Sequence, residues 1–163
     1  MCGIFGVSGS TPPVPLIAAG LKKLEYRGYD SSGIAVNGEK GIWLCKSAGS
    51  LSHLEKKLNQ SAPPLSSVGI GHTRWATHGK ATDLNAHPFL SADGMFAVAH
   101  NGIIENYTGL KAFLSEKGFS FVSDTDSEVV PMLLEYFYDG DVLKAIRLSL
   151  IHISEPTRHA QIS

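Results

Sequence analysis

Apolar positions along the chain switch between a two-residue and a helical period, and the switches mark the predicted elements. Residues 3–8 (GIFGVS) read as a short strand, residues 9–13 as a turn, and residues 14–26 as a helix. In that helix Ile17, Leu21 and Leu24 share a face, with Lys22, Lys23 and Glu25 flanking it. Apolar runs at 34–36 and 42–45 flank the pair Asn37-Gly38, which predicts a hairpin with its turn there. A short amphipathic helix follows at 51–58 and ends in a Ser/Pro loop at 61–64. Residues 68–74 and 96–100 are strand candidates, separated by a long polar loop over 75–93. Asn106 is a predicted cap for a helix running to Lys117, with Gly118 just past its end. Residues 119–123 read as another strand and residues 127–138 as an apolar helix, with Pro131 sitting awkwardly near its first turn. The plan is α+β with hairpins, without repeated βαβ units, heptads or internal repeats.

Composition narrows the function classes. There are 163 residues, 43% of them hydrophobic, which excludes general disorder and is ample for a core. Fourteen Lys and Arg face 15 Asp and Glu, for a net charge of −1. Near-neutrality removes the electrostatic argument for nucleic acid or an anionic membrane surface. Charged residues are 18%, below the usual ~25%, so some surface is expected to be covered. Two cysteines, Cys2 and Cys45, are too few for a disulfide scaffold, and a reducing cytoplasmic compartment is expected. No Lys or Arg precedes Lys22, and glycines and prolines interrupt the first 21 residues, so neither a signal peptide nor a membrane helix is predicted.

Chemistry gathers in four places. Once Met1 is removed, Cys2 would offer a thiol and a free α-amine on one residue, with ordinary pKa values of about 8.5 and 7.7–8.0. That pairs a nucleophile with a base suited to neutral pH, although a second-position cysteine is more often incidental. Cys45 reads as a small packed hydrophobe. Residues 72–79 read HTRWATHG and 85–88 read NAHP. There Arg74 either clamps a carboxylate or makes a surface ion pair, and Trp75 either covers a ligand or packs a loop. His72, His78, His87 and His100 match no zinc spacing, so no metal is predicted. Residues 100–106 read HNGIIEN, in which Asn101 and Gly102 form either a plain turn or a pair of oxyanion donors. Residues 123–128 read SDTDSE, which either caps a helix or supplies an aspartate for an ammonium. Together the four fit hydrolysis of a side-chain amide on a small amino acid. A cysteine peptidase is disfavoured, because no single histidine is clearly placed as its base.

The start MCGIFG, then YRGYDSSG at 26–33, HTRWATHG, NAHP, HNGIIEN and SDTDSE run in an order that resembles one family. It is the glutaminase domain of the isomerizing glutamine–fructose-6-phosphate aminotransferases (glucosamine-6-phosphate synthases). Amidophosphoribosyltransferase and asparagine synthetase share the Cys2 start and an Asn-Gly pair but usually differ in the arginine loop. The resemblance implies a four-layer αββα N-terminal-nucleophile hydrolase sandwich, here incomplete. It implies Cys2 as nucleophile, Asn101 and Gly102 as oxyanion hole, and Arg74, Thr77 and His78 at the carboxylate end of L-glutamine. It also implies Asp126 at the ammonium and Trp75 as a gate, with Asp124 left to a loop or capping role. No cofactor or metal is implied. Implied partners are C-terminal sugar-phosphate isomerase domains absent from this chain, within a homo-oligomer at full length.

The match covers residues 1–146, expected to be part of the amidotransferase domain. Residues 147–163 are expected to be a non-native tail, since from about Leu148 they resemble a reading frame run into sequencing-adapter DNA. At most the glutaminase half-reaction is predicted. The alternatives are an inactive fragment, a module that binds glutamine without turnover, and the glutaminase of another class II amidotransferase.

Overall fold

The computed structural model describes residues 2–9, 11–75 and 80–154. Four strands form one antiparallel sheet in the order β1-β4-β2-β3: β1 (Gly3–Ser8), β2 (Ser31–Gly38), β3 (Gly41–Ala48) and β4 (Val68–Arg74). Two helices, α1 (Pro13–Leu24) and α2 (Leu51–Gln60), cover one face. Proline suits the start of α1, where its missing N–H costs no helical bond. Ile17 and Leu21 of α1 and Leu51 and Leu54 of α2 close on Ile34, Val36 and Cys45 of the sheet. Burying such side chains contributes about 1.5–3 kcal/mol each.

Across the other face lies a second, small sheet of β5 (Phe89–Leu90) and β6 (Ala97–Val98), paired antiparallel. Beyond it, α3 (Tyr107–Glu116), α4 (Val129–Phe137) and α5 (Val142–Ser154) build a second core around Leu110, Leu114, Val129 and Leu133. The layers therefore run α, β, β, α, as the resemblance implies. The sheets meet closely: the Lys46 ammonium lies 4.5 Å from the centre of the Phe89 ring and donates to Leu84 O at 2.9 Å.

Register decides what points between the sheets. Gly3 pairs with Thr73 and Thr73 with Ser32, while Ser31 pairs with Arg74 and Gly33 with His72. Side chains alternate along a strand, so Thr73 and Ser32 face the helices. His72, Arg74 and Ser31 face the second sheet, together with Cys2 at the entry to β1. All of these β4 and β2 side chains are buried.

Several expectations change. The 34–45 hairpin forms, but its turn is Glu39-Lys40, and Asn37 and Gly38 lie within β2. A turn at Asn37-Gly38 would set Val36 against Glu39; the observed register sets Val36 against Trp43 and Ile34 against Cys45. Apolar pairing outweighs local turn preference. Residues 119–123 form no strand. The Glu128 carboxylate accepts the N–H groups of Val122 and Ser123 at 3.0 and 2.9 Å, and Phe119 and Phe121 pack on the α3/α4 core. Asn106 stands at the N-cap of α3 without capping it, because its amide donates to His152 O of α5 at 2.7 Å. Gly118 does terminate α3, with φ +94. The 127–138 helix starts at Val129, which puts Pro131 in the first turn, where backbone donors have no helical partner. The strand predicted at 96–100 is only Ala97–Val98, and β5 falls inside the predicted loop. Helix α5 lies beyond the last element read from the sequence and runs to Ser154.

Candidate active site

Residue 2 enters β1 opposite the end of β4, and this places the Cys2 thiol against the chain as it leaves Arg74. Trp75 N–H donates to Cys2 Sγ at 3.2 Å, and Sγ lies 3.6 Å from Trp75 O. A thiol uses both contacts. A thiolate keeps the first, an N–H aimed at its charge.

Beside Cys2, the Asn101 amide donates from Nδ2 to Cys2 O at 3.3 Å. Its Oδ1 lies 2.8 Å from His72 Nε2. Gly102 follows with φ +154, and a Cβ there would come within 2.8 Å of His100 Nε2. The positive φ favours glycine, and any larger residue would also have to displace the His100 ring.

A cleft of about 370 Å³ opens over these groups. Its lining includes Cys2, Asn101 and Gly102 together with Arg74, Trp75 and Asp126. Arg74 is 4% exposed. Burial lowers the proton affinity of its guanidinium, and the negative groups at Cys2, Asp30 and Asp126 pull it back up. The guanidinium reaches Lys80 O at 3.4 Å. Asp126 holds its carboxylate by accepting Ile104 N–H at 2.7 Å, with Ser127 Oγ at 3.4 Å from the other oxygen. Each oxygen keeps a further lone pair, enough to accept from an ammonium. A cation, an anion, a thiol and an amide donor on the wall of one cleft match an amino acid bearing a side-chain carbonyl.

Of the residues singled out in the sequence, Cys2, Arg74, Trp75, Asn101, Gly102 and Asp126 come together. Trp75 is 42% exposed and meets Tyr29 edge-on, with centroids 5.3 Å apart. Thr77 and His78 lie outside the described residues, as does Met1. Asp124 turns elsewhere: its N–H donates to Asn85 Oδ1 at 3.0 Å, and Asn85 Nδ2 lies 3.4 Å from its carboxylate, clasping the 80–88 loop. Cys45 is buried in the first core, and burial pushes its thiol pKa up. Among the described residues no group of three or more His, Cys, Asp or Glu is arranged to hold a metal, and no helix is long and apolar enough to cross a membrane.

Sequence reasoning missed Arg27 and Ser127, which line the cleft, and weighed His72, His87 and His100 only as metal ligands or as the base of a cysteine peptidase. His72 and Arg74 are two apart on one strand, and that spacing was a usable signal. His72 and His87 stack at 4.3 Å, with ring planes 17° apart. Burial holds both neutral: His72 is lowered to about 4 despite its bond to Asn101, and His87 to about 2 with help from the nearby positive groups. His87 Nδ1 accepts His100 N–H at 3.3 Å, and His100 Nδ1 lies 3.0 Å from Ser127 Oγ.

Comparison with known proteins supplies independent evidence. Residues 59–146 match a family model described as a glutamine amidotransferase domain. A glutamine–fructose-6-phosphate aminotransferase (isomerizing) from Clostridium acetobutylicum is 51% identical over 146 residues, 90% of this chain and 24% of that one. The chain thus spans about a quarter of the length of the curated relatives it matches. Among solved structures, the glutamine phosphoribosylpyrophosphate amidotransferase of B. subtilis, complexed with ADP and GMP, superposes with a TM-score of 0.77 at 27% identity. A structure described as the allosteric regulatory enzyme of purine biosynthesis gives 0.80 at 28%. Each alignment covers 94% of this chain and 33% of the other. Both share the N-terminal-nucleophile sandwich.

Proposed function

The chain belongs to the glutamine amidotransferase domain family, and from that premise we propose that it hydrolyses the side-chain amide of L-glutamine with Cys2 as nucleophile. The observation that carries this is the single cleft lined by Cys2, Asn101, Gly102, Arg74 and Asp126. With Met1 removed, the Cys2 amine takes the thiol proton and Sγ attacks the amide carbon. The carbonyl oxygen becomes an oxyanion, stabilised by the Asn101 amide and Gly102 N–H. The amine returns its proton to the nitrogen, the C–N bond breaks, and ammonia leaves a γ-glutamyl thioester. Water, deprotonated by the same amine, attacks the thioester; the C–S bond breaks and glutamate departs. Arg74 and Asp126 hold the α-carboxylate and α-ammonium throughout, with Thr77 and His78 assigned to the carboxylate end by resemblance. Trp75 shields the thioester.

The identity to isomerizing aminotransferases supports a narrower reading. In a full-length relative the ammonia would pass to fructose 6-phosphate in sugar-phosphate isomerase domains, within a cytoplasmic homo-oligomer, giving glucosamine 6-phosphate. We also propose that residues 1–146 are amidotransferase domain and that 147–163 are a non-native tail. The family match ends at 146, while α5 continues to Ser154. Resequencing the source locus tests this, and a stop codon after Ser163 would refute it.

The function is tested on protein whose intact mass shows Met1 removed. Glutamine is expected to yield glutamate and ammonia in equal amounts, and Cys2→Ala is expected to abolish both. Turnover persisting in Cys2→Ala refutes the mechanism. Glutamine binding without ammonia release would make the chain a binding module instead.

A further inference from the structure

Asn101 presents its amide correctly only if its plane cannot turn over. Two contacts set it: Oδ1 at 2.8 Å from His72 Nε2, and Nδ2 at 3.3 Å from Cys2 O. Turned the other way, Oδ1 would face the Cys2 carbonyl, oxygen against oxygen. Nδ2 is therefore the donor toward Cys2, and Oδ1 requires a donor on the other side. His72 Nε2 is the atom there. His72 is fully buried, with its ring pinned against His87 at 4.3 Å, so it cannot swing away.

Resting on the glutaminase reading, we propose that His72 is a positioning residue: its Nε2–H locks the Asn101 amide so that Nδ2 meets the oxyanion. The lock matters most during reaction. Nδ2 carries two hydrogens, so one can stay on the Cys2 carbonyl while the other meets the oxyanion, provided the His72 bond keeps the amide plane fixed. Burial keeps the imidazole neutral down to about pH 4, so one ring nitrogen carries a proton and the other does not. The arrangement requires that proton on Nε2.

The test begins in the resting protein. Long-range ¹H–¹⁵N spectra of the wild type at pH 7 are expected to show His72 as the Nε2–H tautomer. An unprotonated Nε2 overturns the proposal whether or not the chain turns glutamine over. Kinetics then separate positioning from simple support of the fold. His72→Leu is expected to lower kcat about tenfold or more while leaving glutamine KM within about threefold. It should cost less than Asn101→Ala, the ~10²–10³-fold scale for a lost oxyanion donor. His72→Gln, whose amide N–H can replace Nε2–H, is expected to recover most of the rate. In the Asn101→Ala background His72→Leu should add little, because the two act through one amide. An equal loss in both backgrounds overturns the proposal and leaves the glutaminase reading intact. Loss of the Cys2 dependence overturns that reading and leaves the tautomer result standing.

Discussion

At Arg74 a guanidinium sits almost wholly out of water on the wall of the cleft that Cys2 and Asp126 also line. That arrangement suits a substrate carboxylate, which a planar fork grips with two parallel bonds. Lysine cannot reproduce the fork, and its lower intrinsic pKa makes it shed charge more readily when buried. Arg74→Lys is therefore expected to raise glutamine KM at least tenfold, the scale of a charged hydrogen bond worth about 1.5–3 kcal/mol. The value of kcat should stay within about threefold, because the reacting carbonyl lies at the other end of the amino acid. Steady-state kinetics read both numbers, and an unchanged KM removes Arg74 from carboxylate binding. Cys2, Arg74, Asn101, Gly102 and Asp126 were readable as candidates because each chemistry needs a specific residue type. His72 was not, since a buried histidine looks the same in sequence whether it orients an amide or fills space. Only its 2.8 Å contact with Asn101 distinguishes the two.

Among the elements, strands with alternating burial were legible and segments held by side chains were not. Strands β1 and β4 stand where their apolar pattern put them. Residues 119–123 carry the same pattern, but Glu128, five residues beyond Ser123, takes the backbone donors a neighbouring strand would have used. The hairpin turn moved by two residues because a register is chosen by the whole pair of strands. Contact between the two sheets was equally invisible, and it turns on Gly33 of β2. A Cβ there would come within 2.3 Å of His87 O, a backbone atom with little freedom to yield. Gly33→Ala should push the 85–88 segment off the first sheet and destabilise the protein by about 1–3 kcal/mol, as overpacking does. Glutamine turnover should fall with it, since His87 backs His72. Denaturant midpoints of the two proteins measure the cost, and matching midpoints would mean that the sheets separate freely.

For the molecule as a whole, composition correctly indicated a chain able to build a core, but it could not indicate that two imidazoles lie stacked inside. That arrangement ties stability to pH. Free histidine titrates near 6.5, whereas His72 and His87 are lowered to about 4 and about 2, chiefly by burial. Above pH 6.5 both are neutral folded or unfolded, and their contribution is fully present. As pH falls below 6.5, the unfolded chain binds two protons that the native protein refuses, and stability drops. Linkage sets the slope at about 1.4 kcal/mol per pH unit for each imidazole well below 6.5. The loss from His72 ends near pH 4, and that from His87 continues lower. Carboxylates ordinarily titrate near 4, so the window from 6 to 4.5 belongs mainly to the histidines. Urea unfolding at pH 7, 6, 5 and 4.5 should therefore show stability falling with a slope approaching two protons. In His72→Gln one of the two buried imidazoles is gone and the slope should be roughly halved, even if that variant starts from a lower stability at pH 7. A flat profile in the wild type would mean that the His72–His87 stack takes up protons without unfolding, and would remove burial as the source of their neutrality.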